Sequence, residues 1–208
     1  MEAAKKEDEG GVRGLLKQSY ANTVDEHGMT ELMRAAWGGQ AERVEELLPA
    51  SDALWKGVHG MTALMWAAWN GHAECVEALL PASDAGEKCT DGKTALMRAA
   101  LDGHADCMVV LLPVSDALEK DNKGWTALMH AAFRGAEACV ALLLEESNEA
   151  EKNLAGRKAS EIARLSGHED LALLIEGHVL AKKESAELGL ELPAKDSVAG
   201  RPKMSRSI

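Results

Sequence analysis

The chain has 208 residues, a formal net charge of −11 and only 3% aromatic residues. Such an acidic protein is poorly suited to duplex nucleic acid or to anionic membranes, because both reward a basic surface. No apolar stretch approaches the roughly 18 residues of a membrane span, and the N-terminal residues lack the hydrophobic segment of a secretory signal. We therefore expect a soluble cytoplasmic protein with no membrane insertion and no nucleic-acid partner.

The stretch Thr-Xaa-Leu-Met-Xaa-Ala-Ala occurs four times, at intervals of 32 residues. One glycine lies two positions before each threonine and another lies nine positions after it. A constant period of this size predicts a solenoid of stacked supersecondary units. We number the units from the first of these glycines: unit 1 is 28–59, unit 2 is 60–91, unit 3 is 92–123, unit 4 is 124–155, and unit 5 begins at 156.

In chain order, the pattern predicts an N-terminal capping half-repeat over 1–27, four clear repeats over 28–155, a divergent C-terminal capping repeat and helix over 156–190, and a disordered tail over 191–208. Terminal units need polar groups on the face that has no neighbour. In unit 5, Lys158, Ser160 and Arg164 fit that role. The last helix is predicted from residue 171 to about residue 188. Its side chains Leu173, Leu174 and Val179 are predicted to cover the C-terminal end of the core.

Each unit contains the signals of two short antiparallel helices. In unit 2, Thr62 is a natural N-cap for the first helix, and Gly71 is suited to end it. A second helix is predicted from His72 to Leu80, stopped by Pro81. The paired alanines allow successive helices to stack closely.

At these residues the chain resembles the ankyrin-repeat family, whose unit of about 33 residues is a turn plus two helices with a Thr-Pro-Leu-His-Xaa-Ala signature. The resemblance covers roughly 1–178 and implies an all-α, ankyrin-type solenoid of stacked helix-turn-helix units. Alanine or glutamate replaces the family's proline, and methionine replaces its histidine. The turn region is one residue short, which predicts irregular turns.

The resemblance also implies that turn tips and first helices together form a concave surface that binds protein partners. Bulky apolar and arginine side chains in the variable slots of the repeat are typical of binding hot spots. One alternative is that the residues directly after the paired alanines pack between neighbouring first helices as a hydrophobic ladder. The candidate partner-binding residues are Arg34, Trp37, Met61, Trp66, Trp69, Arg98, Leu101, Trp125, His130 and Phe133.

Cys75, Cys107 and Cys139 share one slot of successive units, 32 residues apart. Stacked units are about 10 Å apart, beyond disulfide reach, so these residues are expected to be buried thiols. Cys89, in a linker, is expected to be a free thiol. The pairs His72/Cys75 and His104/Cys107 have spacing suited to a metal, but zinc requires four converging ligands, and we expect no metal or cofactor.

Three hypotheses remain for the function. The favoured one is a non-catalytic, monomeric scaffold or adaptor that binds a protein. A second is a regulatory or inhibitory subunit of an enzyme that contacts a basic partner through the acidic second helices (Glu42, Glu45, Glu46, Glu74 and Glu77). A third is a metal-binding enzyme that uses the His/Cys pairs.

Overall fold

The computed structural model describes residues 23–187, which form ten α-helices and no strand. Each unit contributes two consecutive helices, so odd-numbered helices are first helices and even-numbered helices are second helices. Their bounds are α1 Glu31–Trp37, α2 Ala41–Leu47, α3 Ala63–Asn70, α4 Ala73–Leu79, α5 Ala95–Asp102, α6 Ala105–Leu111, α7 Ala127–Arg134, α8 Glu137–Leu144, α9 Ala159–Leu165 and α10 Glu169–Glu187. The predicted half-repeat up to residue 22 and the tail from 191 onward lie outside the described residues.

The first helix of units 1 to 4 begins as the sequence predicts. In unit 2 the hydroxyl of Thr62 accepts a hydrogen bond from the N–H of Met65 at 3.3 Å, and the equivalent threonines of units 1, 3 and 4 do the same. Unit 5 has Lys158 in this slot, and a lysine side chain has no acceptor. There, Glu161 accepts the N–H of Lys158 at 3.1 Å instead.

A left-handed glycine ends three of the first helices. Gly71 has φ = 80°, and its N–H donates to Ala67 inside the helix. The imidazole of His104 from unit 3 lies directly against it, because a Cβ added to Gly71 would be 2.6 Å from His104 Nδ1. This glycine is therefore required for backbone conformation and for the contact between two units.

The second helices end slightly differently from the prediction. Helix α4 stops at Leu79, and the chain continues through a 3₁₀ turn, Leu80–Ala82, that includes Pro81. Units 1 and 3 repeat this arrangement around Pro49 and Pro113. The proline therefore lies inside the tighter turn that follows the helix and does not mark the last helical residue.

The core runs without interruption through the units. First helices pack against the next first helix, and second helices against the next second helix. Ala67 and Ala68 are completely buried, as are Cys75, Val76 and Leu79 from the second helix of the same unit. The small side chains therefore lie between stacked helices, as the sequence predicts.

The turns between units share one pattern, so the prediction of irregular turns is wrong except for the turn before unit 2, where His59 has a left-handed backbone with φ = 58°. In all five units the same backbone hydrogen bond closes the turn, as in Asp121 N–H to Trp125 C=O at 3.0 Å. Bonds also join successive turns: Thr90 N–H donates to His59 C=O at 2.9 Å, and Leu154 N–H donates to Lys123 C=O at 3.1 Å. Among the turns of units 2 to 5, the backbone itself therefore fixes the spacing.

Lysines at 32-residue intervals add a second set of links, which we call the lysine ladder (Lys56, Lys88 and Lys120). Each pairs with a glutamate of the next unit (Glu87, Glu119 and Glu151, respectively). Each ammonium group also donates to the carbonyl of the lysine 32 residues later, as in Lys88 to Lys120 at 3.0 Å. Every link joins one unit to the next.

The last helix starts two residues earlier than predicted and covers the core with other residues. Leu171, Ala172 and Ile175 are buried, whereas Leu173 and Leu174 are exposed. The prediction for Leu173 and Leu174 is wrong because the i, i+4 pair of Leu171 and Ile175 sets the face that packs on α9.

The polar cap of unit 5 follows the prediction only in part. Arg164 is exposed and pairs with Glu169 at 3.0 Å and with Glu176 at 3.1 Å. Ser160 is only 4% exposed. It therefore does not serve as a solvent-facing cap.

Candidate functional site

An apolar row runs along the ends of the first helices. Trp37, Trp69 and Phe133 are 53%, 37% and 50% exposed, and Leu101 is half-buried. Leu165 of unit 5, in the same slot, is 68% exposed. The alternative that these residues pack as a buried ladder is therefore wrong. Leu165 was not among the candidates, although another 32-residue step from Phe133 leads to it.

Two tryptophans and an arginine form a cluster between units 2 and 3. The rings of Trp66 and Trp69 are stacked with centroids 5.2 Å apart. The guanidinium of Arg98, from unit 3, lies 5.0 Å from the centre of the Trp69 ring. Arg98 also donates to Cys89 Sγ at 3.4 Å and lies 3.8 Å from Asp91. This network holds the exposed Trp69 in one orientation.

A second aromatic cluster lies in unit 4. Trp125 contacts the edge of Phe133, with centroids 5.7 Å apart, and the ring of His130 at 5.1 Å. The Nε2 of His130 lies 3.0 Å from a carboxylate oxygen of Asp121. The other carboxylate oxygen accepts the N–H groups of Lys123 and Trp125, both at 2.8 Å.

Asp121 is a buried carboxylate held by its neighbours. Burial by itself raises the pKa of this carboxyl, but the hydrogen bonds from His130, Trp125 and Lys123 outweigh burial and leave the pKa below its ordinary value. The ammonium of Lys93, in unit 3, lies 3.8 Å from Asp121 and 3.4 Å from Asp91. Lys93 therefore connects the two clusters electrostatically.

Several predicted surface residues are in fact interior. Met61 is 1% exposed, Arg98 8% and His130 5%, so the prediction that they face a partner directly is wrong. Trp66 and Trp125 are half-buried and pack against the core. Met61 and Trp125 directly follow the first glycine of their units, and the turn directs this position back toward the helices. Arg34 is exposed and pairs with Asp25 at 3.2 Å.

We call the resulting face the first-helix surface: the apolar row with the two clusters behind it. The Nε2–H of His72 donates to the carbonyl of Trp37 at 3.1 Å, and His104 donates in the same way to Trp69 at 3.0 Å. Two members of the apolar row are thus fixed to the following unit through their backbone.

The His/Cys pairs have separate structural roles. While His72 and His104 make the bonds to the row, Cys75, Cys107 and Cys139 are completely buried free thiols, as predicted. Desolvation raises the pKa of all three, to about 12 for Cys107 and about 11 for Cys139. Cys89 is also a free thiol, but it is buried. Over residues 23–187, no three His, Cys, Asp or Glu side chains form a group suited to a metal ion.

None of the described helices combines the length and apolar content needed to cross a membrane. A family model described as ankyrin repeats (3 copies) matches the chain over residues 1–88 and 79–156. No curated protein matched the chain.

Proposed function

Since the chain belongs to the ankyrin-repeat family, whose repeats are generally protein–protein interaction modules and typically non-catalytic, we propose that it is a non-catalytic scaffold or adaptor. Its partner is a protein that binds the first-helix surface. We further propose that the protein works as a monomer in the cytoplasm.

The observation that carries this proposal is the exposure of the apolar row. Three large aromatic side chains and Leu165 face solvent in one register, in a chain with only 3% aromatic residues. Contiguous exposed apolar surface usually marks an interaction site. Aromatic side chains contribute much of the binding free energy at such sites.

Rigidity of the surface favours tight binding. Trp69 is stacked on Trp66 and covered on one side by Arg98, and Phe133 is supported by Trp125. Side chains that are already ordered lose less conformational entropy when a partner binds. The buried Arg98 and His130 therefore act by positioning the row.

The test is a pair of matched double variants, each used to capture partners from lysate of the source cells. Trp37→Ala with Phe133→Ala removes two members of the row. Trp55→Ala with Val109→Ala removes exposed apolar side chains elsewhere, at 41% and 57% exposure. We expect the row variant to lose partners that the control retains, with melting temperatures of both variants close to that of the wild type. Equal capture by the two variants would show that the row is not the binding surface.

Capture should not be tested with Trp66→Ala and Trp125→Ala. Both side chains are half-buried and pack against the core, so their removal lowers stability as well as binding. The exposed members of the row separate the two effects.

A second candidate function is a regulatory or inhibitory subunit that contacts a basic partner through the second helices. Its support is the exposure of Glu42, Glu45, Glu46, Glu74 and Glu77. Contacts between exposed charges weaken as salt increases. Association that falls steeply between low and high salt would favour this candidate, whereas association indifferent to salt would favour the apolar row.

A further inference from the structure

A groove of about 320 Å³ lies where units 4 and 5 meet, away from the apolar row. Its walls are the end of α8, the loop 147–150 and the second half of α10. The groove exists because α10 continues to Glu187. A step of 32 residues from Leu144, the last residue of α8, leads to Glu176 in α10. Past the corresponding position, the chain of units 1 to 3 turns away through a proline, whereas α10 continues.

Cationic side chains converge on this groove in a chain that is acidic overall. Lys158, Lys182 and Lys183 line it together with His178, and the carboxylate among its lining residues is Glu149. Lys182 donates to the carbonyl of Leu144 at 3.0 Å, which caps the end of α8.

Two of the lysines are left without a close carboxylate. Outside the groove lining, Glu145 compensates part of the charge, at 3.8 Å from Lys182 and 3.9 Å from His178. Lys158 and Lys183 make no direct ion pair within the described chain, although both act on Glu149 through space. Their ammonium groups remain available to a ligand.

Polar residues replace three frame positions at this interface. Glu149 occupies the slot of a buried alanine, Ser160 that of a fully buried leucine, and Lys158 that of the capping threonine. Burial raises the pKa of the Glu149 carboxyl, and the nearby hydroxyl of Ser160 acts in the opposite direction. Ordinary capping places polar groups on an outward face, but Ser160 is buried. The frame residues replaced are Ala53, Ala85 and Ala117; Leu32, Leu64, Leu96 and Leu128; and Thr30, Thr62, Thr94 and Thr126.

Two buried polar atoms of groove-lining residues lack a hydrogen-bond partner among the described residues: Ser147 Oγ and His178 Nε2, the latter 3.9 Å from Glu145. Serines equivalent to Ser147 in units 1 to 3 share this state, so His178 is the more distinctive of the two. Buried polar groups normally have a partner. A hydroxyl and an imidazole N–H both suit an acceptor supplied by a ligand.

We propose that this groove binds a phosphate group. Lys158 and Lys183 supply the charge, and His178 and Ser147 donate hydrogen bonds. A phosphate monoester carries nearly two negative charges and three acceptor oxygens, which matches this number of donors better than a single carboxylate does. Free phosphate and a phosphoserine side chain present the same group. The proposal is independent of the first-helix surface.

The experiment is a titration of the full-length, isotope-labelled chain followed by amide NMR at constant ionic strength. The probes are inorganic phosphate, acetate, and a short serine peptide with and without phosphorylation. We expect saturable shifts with inorganic phosphate, confined to 147–150, 178–183 and the surroundings of Lys158, and no saturation with acetate. Tighter binding of the phosphorylated peptide than of inorganic phosphate would identify phosphoserine as the source, and equal or weaker binding would identify the free anion.

Two matched variants test the assignment. Lys158→Thr with Lys183→Gln should weaken phosphate binding about tenfold or more, because charge-assisted hydrogen bonds are lost. Lys123→Gln with Lys152→Gln removes two exposed charges outside the groove and should leave binding unchanged. Threonine is the residue that units 1 to 4 carry at this slot, so the first variant should remain folded. Absent saturation, equal saturation with acetate, or equal weakening in both variants would overturn the proposal.

Discussion

The interfaces among units 1 to 4 and the interface between units 4 and 5 follow the same backbone path but contain different side chains. The turn of unit 5 is closed by the same bond, from Asn153 N–H to Arg157 C=O at 3.0 Å, and it is joined to the turn of unit 4 by Leu154 N–H, which donates to Lys123 C=O at 3.1 Å. Yet a leucine slot holds Ser160 and an alanine slot holds Glu149. The backbone links are therefore enough to keep the geometry, and side-chain chemistry can change within it.

The largest expected difference between the two regions concerns the core. Leu96 in unit 3 is 1% exposed, so Leu96→Ala should lower the free energy of unfolding by about 2–5 kcal/mol, since it leaves a cavity. Leu173→Ala, on the exposed side of α10, should change it by less than about 0.5 kcal/mol. Urea denaturation measures both. A cost at Leu173 similar to that at Leu96 would contradict the burial pattern of α10.

Glycine contacts between units should give the next largest effect. Gly71 and Gly167 both have left-handed backbones, with φ of 80° and 87°, but only Gly71 has an imidazole against it. Gly167→Ala should cost about 1–2 kcal/mol from conformation alone. Gly71→Ala should cost roughly 1–3 kcal/mol more, because the ring of His104 must move. Equal costs in thermal or urea unfolding would mean that the ring moves freely.

The charge of Asp121 distinguishes two otherwise equivalent turns. Asn153 holds the turn of unit 5 with the same two backbone bonds, both at 3.0 Å. Asp121→Asn should keep those bonds and lose the charged contacts to His130 and Lys93, at a cost of about 1–2 kcal/mol at neutral pH. Asn153→Asp, which lacks a buried histidine partner, should change stability little.

The cost at Asp121 should depend on pH. Because the pKa of its carboxyl is lowered in the folded state, the stability it adds is fully present above its ordinary value of 3.8. That stability is lost as the pH falls through the lowered pKa. The free energies of unfolding of the wild type and of Asp121→Asn should therefore converge in acid. A difference that persists undiminished at low pH would contradict this assignment.

The smallest expected effect is a gain in the free energy of unfolding. Lys158→Thr restores the capping residue of units 1 to 4 and should stabilise the protein by about 1 kcal/mol or less. Thermal unfolding would measure it, with Lys152→Thr as the matched control for loss of a charge. No gain relative to the control would indicate that the aliphatic part of Lys158 already contributes as much by packing.

The sequence alone predicted the parts of the fold that depend on local rules. The capping threonines and the left-handed Gly71 are recognisable because their functions need only a few neighbouring residues. The order of stacking followed from the period of 32. Exposure of the variable slots was harder to predict. Arg98 belongs to unit 3 but packs on Trp69 of unit 2, and this contact depends on how two units are oriented.

The candidate sites differ in the same way. Exposure of Trp37 and Phe133 on the first-helix surface agrees with the predicted surface, whereas burial of Met61 does not. The groove at unit 5 escaped prediction because it depends on the length and direction of α10 relative to α8. In the sequence it was signalled by polar residues in frame positions, where Glu149, Lys158 and Ser160 replace an alanine, a threonine and a leucine of the other units.

The lysine ladder has a consequence for how such a chain changes in length. Each lysine of the ladder pairs with a glutamate of the next unit. Removing or duplicating a whole unit of 32 residues would therefore bring each lysine to an equivalent glutamate. Genetic gain or loss of a period would thus leave no unsatisfied junction inside the stack. Fusing units 2 and 4 directly, by deleting 92–123, would place Lys88 opposite Glu151, the residue that now pairs with Lys120.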